Sequence, residues 1–148
     1  MQVVSGALGH EKVHYEAPAS KDVSRMMSEL LDWINVEESL DPLVKAAVVH
    51  LWFVTVHPFD DGNGRLCRTL TELLLSRADQ TSRRYYSLSS EILNHRKEYY
   101  DYLEQAQKGD LDITPWIEWF LNTLKTALES ALQKTENVVR KAQFWDKH

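Results

Sequence analysis

The chain has 148 residues and a mass of 17.2 kDa, enough for one hydrophobic core and too little for two. A content of 43% hydrophobic, 26% charged and 10% aromatic residues excludes a disordered, collagenous or low-complexity chain. Seventeen basic against twenty-two acidic residues leave a net charge of −5, which speaks against nonspecific binding to nucleic acid or to an anionic membrane. The single cysteine, Cys67, excludes an internal disulfide and a cysteine-rich metal site. No apolar run reaches the ~18–20 residues that cross a bilayer, and no signal-peptide pattern opens the chain, so a cytoplasmic protein is expected.

Two short β-like pieces, around Val3–Val4 and Val13–Tyr15, flank Ser5-Gly6-Ala7-Leu8-Gly9-His10, whose glycines suit a hairpin turn. Pro18 holds off helix until about Ser20. Val23, Met26, Met27, Leu30, Leu31 and Ile34 then follow helical spacing. Asp41-Pro42 pairs an N-cap with a proline at the first helical position. The helix it opens, to about Val56, is apolar nearly all round and is expected in the middle of a bundle. His57-Pro58 ends it, because proline disfavours helix in the preceding residue. Further helices are predicted from about Arg65 to Ala78, and from Ser89 or Ser90 through Tyr102 up to the break at Gly109. The last opens at Thr114-Pro115, with Ile117, Phe120, Leu121, Leu124, Leu128 and Ala131 on one face. The expected fold class is all-α, a bundle of five or six helices with a small N-terminal β-hairpin.

The segment His57-Pro58-Phe59-Asp60-Asp61-Gly62-Asn63-Gly64-Arg65-Leu66-Cys67-Arg68 gathers the chemistry. Gly62 and Gly64 strip Cβ atoms from a helix start whose free N–H groups and partial positive charge suit an anion. Arg65 and Arg68, three apart, are expected to grip one polyphosphate. Asp61 at the lip of the loop suits a magnesium ligand beside phosphates. His57, ending the buried helix, suits a base for a hydroxyl near neutral pH. Phe59 is read as the anchor that fixes the loop to the core, and His10, His14, His50, His95 and His148 as structural.

These twelve residues match at every specified position the Fic (Fido) motif, H-x-F-x-[D/E]-G-N-G-R-x-x-R. The hairpin ending Val13-His14-Tyr15-Glu16-Ala17-Pro18 resembles the flap of that family. Met26 to Asn35, Arg96 to Gly109 and Trp116 to Leu121 resemble its helices, so the resemblance covers nearly the whole chain. It implies a Fic-type helical bundle over residues 1–148, a single catalytic core expected to be cut from a longer protein. It also implies a protein adenylyltransferase that moves AMP from ATP to a Ser, Thr or Tyr hydroxyl of a target protein.

Carried over by position, His57 resembles the general base and Asp61 the ligand of Mg²⁺ (or Mn²⁺). Gly62, Asn63 and Gly64 match the anion hole, with the Asn63 side chain on the phosphates, and Arg65 and Arg68 match the phosphate-binding arginines. The whole run through Leu66 and Cys67 to Arg68 is expected along the ATP, although the Cys67 side chain is given no chemistry. Tyr99 and Tyr100 resemble an aromatic pair near the adenine, one of which could equally be core. Gln107 stands where some members carry an asparagine near the nucleotide. The flap residues Val13, His14 and Tyr15 are expected to border nucleotide and target.

Many members carry an inhibitory [S/T]-x-x-x-E-[G/N] pattern; here Glu136-Asn137 has its ending but Leu132 stands four residues before the Glu, so the pattern is absent. Release from that inhibition, or regulation in trans, is the expectation. Three alternatives stay open: another nucleotide or phosphate transfer on the same fold, AMP removal, and a non-enzymatic helical adaptor. A homodimer is also left open.

Overall fold

A computed structural model of the chain describes residues 2–5, 12–81 and 84–145, with side chains from Tyr15 onward. Strands β1 (Gln2–Ser5) and β2 (Lys12–Glu16) pair antiparallel, Gln2 opposite Glu16 and Ser5 opposite Lys12, with a register shift between Val3 and Val4. The glycine-containing turn expected between them falls at 6–11, outside the described residues, as do His10 and His148. Helix α1 (Ser20–Val36) begins where Pro18 permits it and buries Leu30 and Ile34. Leu31, expected on the same face, is half-exposed.

Helix α2 (Pro42–Val56) is capped as predicted: the Asp41 carboxylate accepts from the backbone N–H groups of Leu43 at 2.8 Å and Val44 at 3.3 Å. From its first turn Lys45 reaches back to donate to the carbonyls of Ile34, at 2.8 Å, and Glu37, closing the open end of α1. Helix α3 (Asn63–Ala78) starts two residues before the expected Arg65. The single helix predicted from Ser89 or Ser90 is instead two, α4 (Leu88–Asn94) and α5 (Arg96–Lys108), joined at His95. The buried positions Leu88, Ile92, Tyr99 and Leu103 keep one helical spacing across that break, so periodicity could not reveal it. Ser87 provides the start, its Oγ accepting from the Ser90 N–H at 3.2 Å.

Helix α6 (Thr114–Trp145) buries Phe120 and Leu124 as predicted, but its inward face is shifted from the predicted one toward Trp116 and Trp119. Trp116, Trp119, Phe120, Thr123, Leu124 and Ala127 are buried, Ile117 and Leu121 flank them, and Leu128 is exposed. Trp116 sets this rotation, because its indole N–H donates to the Ala47 carbonyl at 2.9 Å inside the core. Beyond Leu128 the helix leaves the bundle, with Leu132, Val138, Val139, Phe144 and Trp145 exposed.

The core lies around α2, which packs against α1, α3 and α6 and buries Ala46, Ala47, Val49, Leu51, Phe53 and Val56. β2 rests against α5. Among the described residues no helix is long and apolar enough to cross a membrane. This is an all-α fold with a two-stranded appendage.

Candidate active site

The buried helix α2 ends at His57, whose backbone is left-handed, φ 49° and ψ 60°. Pro58 bars the residue before it from continuing the helix, while the His57 N–H still donates to the Phe53 carbonyl at 3.0 Å. The chain thereby turns out of the core at the residue expected to act as base. The His57 ring is half-buried, and its Nδ1 is enclosed without a hydrogen-bond partner. Burial pushes its pKa below the ordinary histidine value, opposed by the Val54 carbonyl. The imidazole is therefore neutral at pH 7 and able to accept a proton.

The following loop is built around Gly62 and Asn63. Gly62, at φ 84°, occupies a left-handed position that favours glycine. It offers no side-chain cap to α3, which leaves the first N–H groups of that helix open to a ligand. Asn63 is buried; its Oδ1 accepts from the Phe59 N–H at 3.0 Å and its Nδ2 donates to the Phe59 carbonyl. The Asn63 side chain thus holds the loop, and the residue also lines the cleft described below. One expectation is corrected. The Phe59 ring is 47% exposed, so the loop is fixed through the Phe59 backbone and not by an anchoring ring.

The two arginines also separate. Arg65 donates to the Asp61 carboxylate at 3.0 Å on the exposed side of the loop, whereas Arg68 turns inward. A Cβ on Gly64 would stand 3.3 Å from Arg68 Nη1, so the missing side chain lets that guanidinium lie close over the first turn of α3. Cys67 is buried on the opposite side, its thiol donating to the His50 carbonyl at 3.3 Å and its pKa pushed up by burial. Leu66 is half-exposed, and neither Leu66 nor Cys67 lines the cleft described next.

A cleft of about 140 Å³ brings His57, Asn63, Gly64 and Arg68 opposite Tyr15 of β2 and Tyr99, Tyr100 and Gln107 of α5. Val54, Leu103 and Glu104 complete its wall, three residues the sequence reading missed. Leu103 and Gln107 fall four and eight residues after Tyr99, a spacing that could have pointed to one helix face. Burial raises the Tyr15 pKa, so the phenol stays neutral. Gln107 Nε2 donates to Thr55 Oγ1 at 3.2 Å, tying α5 to the end of α2. Val13 and His14 lie on β2, with side chains outside those described.

Tyr99 is largely core and Tyr100 largely exposed, with ring centroids 5.2 Å apart in a T-shaped contact. Tyr99 belongs to a buried polar chain. The Thr71 hydroxyl donates to the Cys67 carbonyl at 2.8 Å, which leaves Thr71 Oγ1 to accept from His50 Nδ1 at 2.9 Å. His50 Nε2, 3.1 Å from Tyr99 Oη, then accepts the phenol proton. Burial, with the Arg68 charge, lowers the His50 pKa to about 3. His50 is structural, as read from the sequence, and it fixes the tyrosine wall to α2 and α3.

Among the described residues no group of three or more His, Cys, Asp or Glu side chains is gathered to hold a metal alone. Asp61 nonetheless fits Mg²⁺, which commonly takes one or two carboxylates and draws its other ligands from substrate phosphates and water. Its ion pair with Arg65 is solvent-exposed and worth only ~0–1 kcal/mol, so the carboxylate is easily released.

The model of the Fic/DOC family matches residues 2–75, from the hairpin through most of α3. The chain belongs to the Fic/DOC family. It is 36% identical over 123 residues to a protein adenylyltransferase Fic of Culex quinquefasciatus, covering 82% of this chain and 23% of that protein. A protein of the same name from Nematostella vectensis is 33% identical over 120 residues, covering 80% of this chain and 26% of the relative. The chain thus spans about a quarter of the length of these relatives. A Fic family protein from Desulfovibrio desulfuricans G20 superposes with a TM-score of 0.74 at 31% identity, over 86% of this chain and 38% of the other. The Fic match includes the hairpin, the motif loop and the two helices that meet at it.

Proposed function

We propose that this Fic domain is a protein adenylyltransferase, transferring AMP from ATP to a hydroxyl side chain of a target protein. Relatives named protein adenylyltransferase Fic support the reaction class. The observation that carries it is one cleft that presents a neutral His57, the uncapped start of α3 and Arg68 beside an aromatic wall.

In this reading the α-phosphate lies at the N-terminus of α3, where backbone N–H groups and the helix dipole offset its charge. The Tyr99–Tyr100 wall and Gln107 receive the base. The target hydroxyl approaches past β2, whose flap position suits docking of an extended segment by main-chain hydrogen bonds. His57 takes the hydroxyl proton as the oxygen bonds to the α-phosphorus; the bond from phosphorus to the β-phosphate oxygen breaks and pyrophosphate leaves with the electron pair. Asp61 would hold Mg²⁺ or Mn²⁺, which supplies charge neutralisation on the phosphates. The chain's own part is positioning and electrostatics.

Incubation with a cell lysate and ATP labelled at the α- or the γ-phosphate tests the proposal. Protein labelled from the α-position alone is the expected result. Label from the γ-position alone would assign phosphate transfer, and label from neither would favour an adaptor.

A further inference from the structure

A second cleft, of about 500 Å³, lies between α3, α4 and α5 and shares Arg68, Tyr99 and Tyr100 with the first. The smaller cleft, at about 140 Å³, is below the ~300–1,000 Å³ usual for a ligand pocket, whereas the larger falls within that range. Arg96, on the first turn of α5, stands in the larger cleft with Arg68, Ser89 and Ser90. Its guanidinium carbon is 5.7 Å from the Tyr100 ring centroid, so the aromatic face steadies the cation. Among the described residues no acidic side chain lines this cleft, although the chain carries a net charge of −5. Two guanidiniums and two serines lining one space, without a carboxylate among the described residues, focus positive potential there. Among the described residues Arg68 and Arg96 form no ion pair, while Arg65 is held by Asp61 outside both clefts.

We propose that the larger cleft is a polyphosphate site in which Arg96, with Arg68, holds the terminal phosphates of the nucleotide and then the pyrophosphate released. This deepens the adenylyltransferase reading and rests on it for the nucleotide; the pyrophosphate affinity follows from the cleft itself. Because the cleft adjoins the first at Arg68, a triphosphate anchored at the start of α3 extends past that arginine into it. Arg96 then contacts only the part of the substrate that leaves. It discriminates ATP from AMP, and it neutralises the leaving group.

Calorimetric binding of ATP, AMP and inorganic pyrophosphate to the whole chain, at fixed Mg²⁺ and ionic strength, tests this without any transfer step. Arg96→Ala should weaken ATP and pyrophosphate about tenfold each, the loss of one charge-assisted contact, and leave AMP within about twofold. Arg96→Lys should recover part of the loss, and the difference from wild type should shrink at high salt. Arg96 is exposed, so a matching thermal midpoint is the check on folding. Unchanged ATP and pyrophosphate affinities would overturn the site. Equal weakening of AMP and ATP would also overturn it, reducing Arg96 to a support for Tyr100. Absence of α-phosphate labelling alongside selective loss of pyrophosphate binding would sink only the transfer reading; labelling without that loss would sink only the Arg96 site.

Discussion

Two histidines at and behind the cleft owe their character to burial. His57 is neutral because its ring is partly withdrawn from water at the end of an apolar helix. Its replacement by Ala should lower the rate of AMP transfer ~10²–10⁴-fold while ATP affinity stays near wild type, since a base acts mainly in the transition state. A labelling rate above half of wild type would remove His57 from that role. Its lowered pKa places the acid limb of the rate–pH profile below ~6.5, and a midpoint above that value would contradict the burial argument. His50 shows burial without catalysis. Its folded pKa of about 3 lies below the ~6.5 of an unfolded histidine, so between those values the unfolded chain binds the extra proton. This contribution to stability is intact above the unfolded pKa and is lost as pH falls through the window, about 2 kcal/mol by pH 5. Urea unfolding at pH 7 and pH 5 should show that difference shrinking in His50→Gln. At Gly62 the issue is backbone: Gly62→Ala forces φ 84° on a residue with a Cβ and should cost ~1–2 kcal/mol in the same assay.

At the scale of elements, the candidate site is the junction of α2 and α3. An apolar helix running through the bundle is held on several sides, so its last residue is a fixed platform. A helix that begins without a side-chain cap presents open N–H groups to that platform. In the proposed reading Asp61 serves both the metal and the loop. Activity should disappear with EDTA, and Asp61→Ala should reproduce the loss at ordinary Mg²⁺ concentrations; full labelling in EDTA would take Asp61 off the metal. The cap at the other end of α2 is separate from the chemistry. Asp41→Ala removes the acceptor for the Leu43 and Val44 N–H groups and should cost ~1 kcal/mol in unfolding while leaving ATP binding unchanged.

On the scale of the whole molecule, α6 divides into a half that belongs to the core and a half that projects from it. Trp116 is fully buried against His50 and Phe120, with its indole bonded to Ala47. Trp116→Ala should cost ~3–5 kcal/mol, a large share of the stability of a domain this size. Leu132→Ala, at 65% exposure, should change unfolding by less than ~0.5 kcal/mol. A similar loss at both positions would mean that the projecting half is buried in solution.

The sequence by itself determined the all-α class, the start and stop of α2, and the twelve-residue segment on which the site stands. Those features rest on short-range physics: the Asp41-Pro42 cap, the proline after His57, and glycine at the turn into α3. Apolar spacing also gave α1, although it placed Leu31 inward because it averages over a face whose width only the neighbouring helix sets. The tertiary structure alone decided the rest. It broke the helix at His95 while keeping its apolar spacing, and it rotated α6 onto Trp116 because a buried indole N–H must reach an acceptor. It also parted Arg65 from Arg68, since two guanidiniums on one helix face diverge when one meets the Asp61 carboxylate and the other a cleft walled by α5. Spacing along a chain fixes which side of its own helix a residue occupies; what that side faces is set by the elements packed against it.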